Sequence, residues 1–218
     1  AQALDETKNN YLMGIVYLDS RYGISTADIS TGEFLVTEVE SDRELFDEIN
    51  KFSPSEIICN NAFYVSGVDL GGRRIRYQVA ISALDSHFFS DESCKKVLKE
   101  HFKVGSLSGL GLDDYPTGVI AAGAVMEYMY ETQKSTLEHI TTITPYSTGQ
   151  YMVIDTSTRR NLELVETMRE KQKRGTLLWV LDKTKTAMGA RLLRNYIEQP
   201  LIHKNEILRR QDAVEELN

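Results

Sequence analysis

Two hydrophobic periods run along this chain, and the change from one to the other divides it. Residues 11–18 are apolar with little interruption, as in a strand buried on both faces. Asp19-Ser20-Arg21-Tyr22-Gly23 carries turn chemistry, residues 24–29 resume a strand, Ser30-Thr31-Gly32 turns again, and residues 34–39 alternate apolar with polar. Three strands joined by two short turns predict an antiparallel meander. Ser41 and Glu44 then form a capping box ahead of Leu45, Ile49 and Phe52, one face of a helix that Ser53-Pro54 ends. Residues 56–59 read as a short buried strand. Residues 60–74 hold a Gly71-Gly72 turn preceded by a ragged helix or a loop, and residues 75–79 alternate as a half-exposed strand. Asp91 and Glu92 suit a helix N-terminus. Behind them Cys94, Val97, Leu98 and Phe102 share one face, while Lys95, Lys96 and Lys99 occupy the other.

Residues 105–111 hold three glycines and two serines and make the best linker. After Pro116 the period is helical. Residues 119–129 are apolar nearly all round and include Ala121, Ala122, Gly123 and Ala124, so this helix is expected to lie between other elements. Residues 151–154 are strand-like. Residues 161–173, 176–181, 187–199 and 205–217 show helical spacing, with Pro200 closing the third. The order predicts a mixed sheet with helices beside it, α/β, over residues 1–112, the start pattern of RNase H-like folds among others. An all-α and incomplete unit follows over residues 113–218.

Composition narrows the class. Hydrophobic residues make up 41% of the 218 positions, enough for a core, so a wholly disordered chain is excluded. No run approaches the 18 or so apolar residues a membrane span needs, and the polar first ten residues do not read as a signal peptide. Cys59 and Cys94 cannot build a disulfide framework, and a reduced, cytoplasmic setting is expected. The net charge of −7 argues against a protein that coats nucleic acid. That charge is uneven. Residues 1–150 carry 12 basic against 22 acidic side chains, and residues 151–218 carry 13 against 10.

No catalytic or metal site is expected. Asp19, at the end of the first strand, is where an RNase H-like nuclease would place a metal-binding carboxylate. Asp28, Glu33, Asp69 or Asp85 would have to join it, although turns favour Asp for reasons of their own. The four histidines are scattered, the two cysteines sit at apolar positions, and no G-x-x-x-x-G-K-[ST] loop occurs. Lys183-Thr184-Lys185-Thr186 has the look of such a loop's tail without its glycine turn. Arg159, Arg160, Arg169, Lys171, Lys173 and Arg174 could meet phosphates. Helical spacing would spread them around an axis, interleaved with Glu163, Glu166 and Glu170, which favours ion pairs within a helix.

Longer motifs carry a resemblance. The run from Asp155 through Arg159-Arg160-Asn161-Leu162-Glu163-Leu164 resembles the MutS family of DNA mismatch-repair proteins. So do Gly175-Thr176-Leu177-Leu178-Trp179-Val180-Leu181-Asp182, its continuation to Leu193, Glu198-Gln199-Pro200-Leu201, and Asp212-Ala213-Val214-Glu215-Glu216-Leu217. Upstream, Ala27-Asp28-Ile29-Ser30-Thr31-Gly32-Glu33-Phe34 is similar to the meander of that family's connector domain. The resemblance implies a connector domain followed by the start of a helical core. It implies a non-catalytic segment that links mismatch recognition to ATPase domains and contributes to docking MutL. Mismatched DNA, a second MutS subunit, ATP and Mg would engage the parent protein. Lys95, Lys96 and Lys99 are the expected docking residues. Phe46-Asp47-Glu48 matches the letters of the family's Phe-x-Glu wedge, but it falls inside the capped helix and is rejected as a wedge.

Overall fold

The structure, a computed structural model, describes residues 10–66, 79–133, 136–150, 152, 154 and 156–217. The chain separates into two units, Asn10–Thr148 and Gly149–Asn218.

In the first unit the meander forms as expected. Strands β1 (Tyr11–Leu18), β2 (Arg21–Asp28) and β3 (Glu33–Val39) pair antiparallel. Strands β4 (Glu56–Cys59), β5 (Ala80–Ala83) and β6 (Thr144–Pro145) add in parallel, giving the order β5-β4-β1-β2-β3-β6. This is the mixed sheet expected of an RNase H-like domain. Its central strand β1 is buried on both faces because helices cover both. Helix α1 (Asp42–Phe52) lays Leu45, Ile49 and Phe52 on one face, with Met13, Ile15 and Ile57 beneath. Its N-cap is made, in a variant of the capping box: Ser41 Oγ accepts from the Glu44 amide at 3.2 Å, and the Glu44 carboxylate accepts from the Ser41 hydroxyl at 3.0 Å and the Glu40 amide at 3.4 Å. Ser53, left-handed at φ 46°, ends it. A one-turn helix α2 (Asn61–Val65) follows β4. The half-exposed strand expected at residues 75–79 falls almost wholly outside the described residues, as do Gly71-Gly72 and Asp69; β5 begins at Ala80.

The opposite face carries α3 (Asp91–Phe102) and α4 (Pro116–Thr132). Val119, Ala122, Val125, Met126 and Met129 of α4 meet Leu12, Phe34, Val36 and Ile58 of the sheet. This corrects the expected boundary at 112/113. The all-round apolar helix packs between the strands and α3, so it belongs to the sheet domain, and the division falls after Thr148. Residues 105–111 are therefore no linker between units. They turn through a short 3-10 segment whose Leu107 and Leu110 pack on the same core, and Leu112 is buried beside them. Two close approaches fix α4. A Cβ on Gly23 of β2 would lie 2.2 Å from the Thr117 carbonyl oxygen, and one on Gly123 would lie 2.3 Å from Cys94 Cβ of α3. Tyr115 lends α4 no side-chain cap. Glu38 of β3 supplies it, accepting from the Thr117 amide at 2.6 Å and the Gly118 amide at 3.0 Å. A carboxylate at a helix N-terminus meets both the orphan amides and the positive end of the dipole.

Among the described residues the second unit holds four α-helices: α5 (Thr156–Asn161), α6 (Leu177–Leu181), α7 (Ala187–Glu198) and α8 (Lys204–Glu215). The last three fall where helical spacing placed them. The helix expected over 161–173 does not form. Glu163 and Lys171 take left-handed conformations at φ 47° and 49°, and the carbonyls of Glu163 and Leu164 accept instead from the Leu177 and Leu178 amides. The chain therefore folds back after α5. The strand-like reading of 151–154 rests on Tyr151 and Val153, which lie outside the described residues. Met152 donates its amide to the Pro200 carbonyl at 2.8 Å.

Candidate functional site

Helix α3 is built so that one face is fixed and the other free. Ser90 Oγ caps it by accepting from the Ser93 amide, Asp91 and Glu92 occupy its first turn, and Lys103 ends it at φ 54°. Cys94 and Leu98 are buried. The Cys94 thiol faces the Phe88 and Ile120 carbonyls at 3.1 and 3.4 Å, and burial pushes its pKa up to about 12. Cys59 is likewise pushed up to about 11 by burial. Neither is poised as a thiolate. At the far end His101 lies 2.5 Å from the Tyr130 hydroxyl and 2.7 Å from the Ile140 carbonyl oxygen. A carbonyl only accepts, so Nε2 donates to Ile140, and Nδ1 shares a hydrogen bond with the Tyr130 hydroxyl. The imidazole thus ties α3 to α4 and to the segment that follows α4.

The outer face carries the three expected docking lysines. Lys95 and Lys96 are exposed, and Lys99 is half-buried. Their charges are locally answered: Lys95 Nζ lies 2.7 Å from Asp91 Oδ2, and Lys96 Nζ lies 4.0 Å from Glu100 Oε1. Over residues 91–103 four lysines face three carboxylates, so the face is mildly positive within an acidic domain. Beside Lys96 lies a hollow of about 350 Å³, lined also by His87, Ser93, Val97, Glu100 and Glu127.

Among the described residues, the carboxylates of the nuclease alternative do not converge on Asp19. Asp19 and Ser20 form the β1–β2 turn, at φ 51° and 60°, the left-handed pair that a two-residue hairpin favours. Asp28 pairs with Tyr11 at the other end of the hairpin, roughly 25 Å away at about 3.3 Å per residue. There it is fully buried and accepts from the Asn10 amide at 3.2 Å and the Ser30 amide at 2.9 Å. Glu33, opposite Asp28, accepts from the Tyr11 hydroxyl at 2.7 Å. Asp85 is exposed before a 3-10 turn. Among the described residues no three His, Cys, Asp or Glu side chains group as metal ligands.

The second unit's basic residues follow the fold-back rather than one helical axis. Arg159 Nη2 donates to the Glu198 carbonyl at 3.3 Å, and Lys173 pairs with Asp182 at 2.7 Å. Hydrogen bonds from Lys173 and Thr184 hold the Asp182 carboxyl down at about 2. Asp182 also accepts from the Thr184 amide at 3.3 Å, and Thr186 Oγ1 caps α7 by accepting from the Gly189 amide at 3.0 Å. Two polar arrangements escape local sequence pattern: Glu38 capping α4, and a cluster of buried Glu48 and Tyr146 with half-buried Lys51. In that cluster the Tyr146 hydroxyl donates to Glu48 Oε2 at 2.6 Å. Phe46 and Glu48 are both buried in α1, which fits the rejection of this triplet as a wedge.

A six-stranded mixed-sheet domain followed by a helical unit makes this a two-unit segment, α/β and then helical. Residues 10–141 match MutS domain II, and residues 157–218 match MutS domain III. The chain belongs to the MutS family. It is 61% identical over 217 residues to the DNA mismatch repair protein MutS of Lachnoclostridium phytofermentans, covering 100% of this chain and 23% of the relative. Identity to the MutS of Acetivibrio thermocellus is 46% over 216 residues, and to that of Ruminiclostridium cellulolyticum 44% over 217, each covering 98% of this chain and 24% of the relative. The chain thus spans about a quarter of the length of the curated relatives it matches. Its matched regions are the connector and the start of the core, and no ATPase-domain match falls within it.

Proposed function

We propose that this chain is the connector-and-core segment of a mismatch-repair MutS protein, that it transmits the state of the mismatch-recognition domain to the ATPase domains, and that the outer face of α3 contributes to docking MutL. The observation that carries the docking reading is the geometry of α3. Its inner face is locked by Cys94, Leu98 and His101, while Lys95 and Lys96 stand in solvent within a net-acidic unit. Exposed lysines of this kind steer an acidic patch toward a rigid surface. Mismatched DNA, a second MutS subunit, ATP and Mg belong to the parent protein in this reading. The setting is the cytoplasm, where the buried thiols of Cys59 and Cys94 remain reduced.

The test is charge reversal. Lys96→Glu places a carboxylate beside Glu100, and Lys99→Glu adds a second along the same helix. The double variant should slow association with the cognate MutL several-fold at low salt, with the difference fading as salt rises. It should leave fold stability within about 0.5 kcal/mol. An unchanged association rate with an intact fold would place the docking surface elsewhere.

A further inference from the structure

We propose that Glu48, Lys51, Tyr146 and Thr37 form a releasable clasp that sets where the chain leaves the first unit. Residues 144–148 are the last of that unit. The sheet holds them weakly through backbone alone. β6 has two residues, one of them Pro145, which has no amide to donate. Thr144 and Ser147 are exposed, but Tyr146 between them is only 4% exposed. One residue therefore anchors the segment.

Tyr146 is gripped at every polar atom. Its amide donates to the Val36 carbonyl at 3.0 Å, its carbonyl accepts from Thr37 Oγ1 at 2.6 Å, and its hydroxyl donates to Glu48 at 2.6 Å. Lys51 Nζ lies 3.5 Å from Glu48 Oε2 and 4.8 Å from the centre of the Tyr146 ring. A buried carboxylate with a partly buried ammonium beside it is a costly way to fill a core that leucine could fill. Their particular contribution is to hold a phenolic hydroxyl, and with it the exit segment. The Tyr146 ring also packs edge-on against Phe52, 6.3 Å between centroids, at the rim of the α1-side core. A ring contact and a few directional bonds at the end of a two-residue strand open as a local unit, ahead of the rest of the sheet. With the clasp open, Ile143, 6% exposed in the core, becomes the last anchored residue. Five residues then join the connection to the helical unit, adding up to roughly 17 Å of reach at about 3.4 Å per residue. The clasp thus switches a short tether to a long one. Its use in coupling rests on the linking role proposed above, whereas its existence does not.

Hydrogen exchange of the chain, read by mass spectrometry without MutL or DNA, tests it. Tyr146→Phe removes the hydroxyl, and Thr37→Val removes the bond to the Tyr146 carbonyl while keeping the side-chain shape. Each should speed exchange over residues 143–148 by roughly tenfold or more, with the amides of β1 and β2 at wild-type rates. Unchanged exchange at 143–148 would overturn the clasp. So would an equal rise through β1 and β2, or loss of the fold, because Tyr146 would then be an inseparable part of the core. Failure of the MutL measurement would leave this result standing, and the reverse also holds.

Discussion

Burial works against both charges of the Glu48–Lys51 pair. It pushes the Glu48 carboxyl above its ordinary 4.5 and the Lys51 ammonium below its ordinary 10.5, while mutual attraction opposes each shift. Glu33 is raised as well, chiefly by burial. A carboxyl with a raised folded-state pKa contributes stability that is fully present below its ordinary value and lost as pH rises through the folded value. Glu48 should therefore make the fold less stable toward neutrality than in mild acid. Glu48→Gln stays neutral and still offers an oxygen to Tyr146. It should flatten that part of the dependence, leaving the contribution of Glu33. Urea midpoints at about pH 5 and about pH 7 would check this, and identical slopes for the two proteins would exonerate Glu48. In the sequence, Glu48 was legible only as a member of the capped helix. Its partner Tyr146 lies 98 residues on, a separation that no periodic pattern reports. The exposed lysines of α3 were legible because an amphipathic helix states its own outer face, but the pairing of Lys95 with Asp91 and Lys96 with Glu100 appears only with side-chain geometry.

Helix α4 shows what period can and cannot tell about an element. Its apolar character all round announces burial. It does not say between which layers, and that ambiguity is what moved the expected boundary to residue 112. The meander, the capping box and α3 were readable because each carries its own start, stop and inward face. The segment after α5 was not, since the left-handed Glu163 that ends the helix is an ordinary residue by composition. Nor was the cap of α4, which comes from another element. Glu38 also meets Arg21 at 3.1 Å, so one carboxylate serves a helix and a strand pair. Glu38→Ala would leave the buried Thr117 and Gly118 amides without their acceptor, at a cost of about 2–4 kcal/mol. Chemical denaturation would measure it, and a loss under about 0.5 kcal/mol, the range of ordinary surface changes, would mean that solvent replaces the cap.

For the whole molecule the charge asymmetry decides what the chain does with DNA. Any affinity should come from the second unit, which has 13 basic against 10 acidic residues, while the first unit's excess of carboxylates opposes it. Binding should be weak, indifferent to a mismatch, and steeply lowered by salt. A titration that finds tighter binding to mismatched than to matched duplex at physiological salt would contradict this. The second unit also exposes Trp179, Val180 and Leu181 on α6 and Met188, Leu192 and Tyr196 on α7. In the first unit most large apolar side chains of α1, α3 and α4 are turned onto the sheet, with Tyr130 of α4 an exception.

The order β5-β4-β1-β2-β3-β6 has a further consequence for the isolated chain. Among the described residues its two outermost strands are four and two residues long, and the shorter closes on Pro145. A foreign strand finds few free amides and carbonyls in register at either edge, so the sheet is a poor template for growth by strand addition. Self-association at high concentration should therefore run through the apolar helix faces of the second unit and remain reversible, without cross-β fibres.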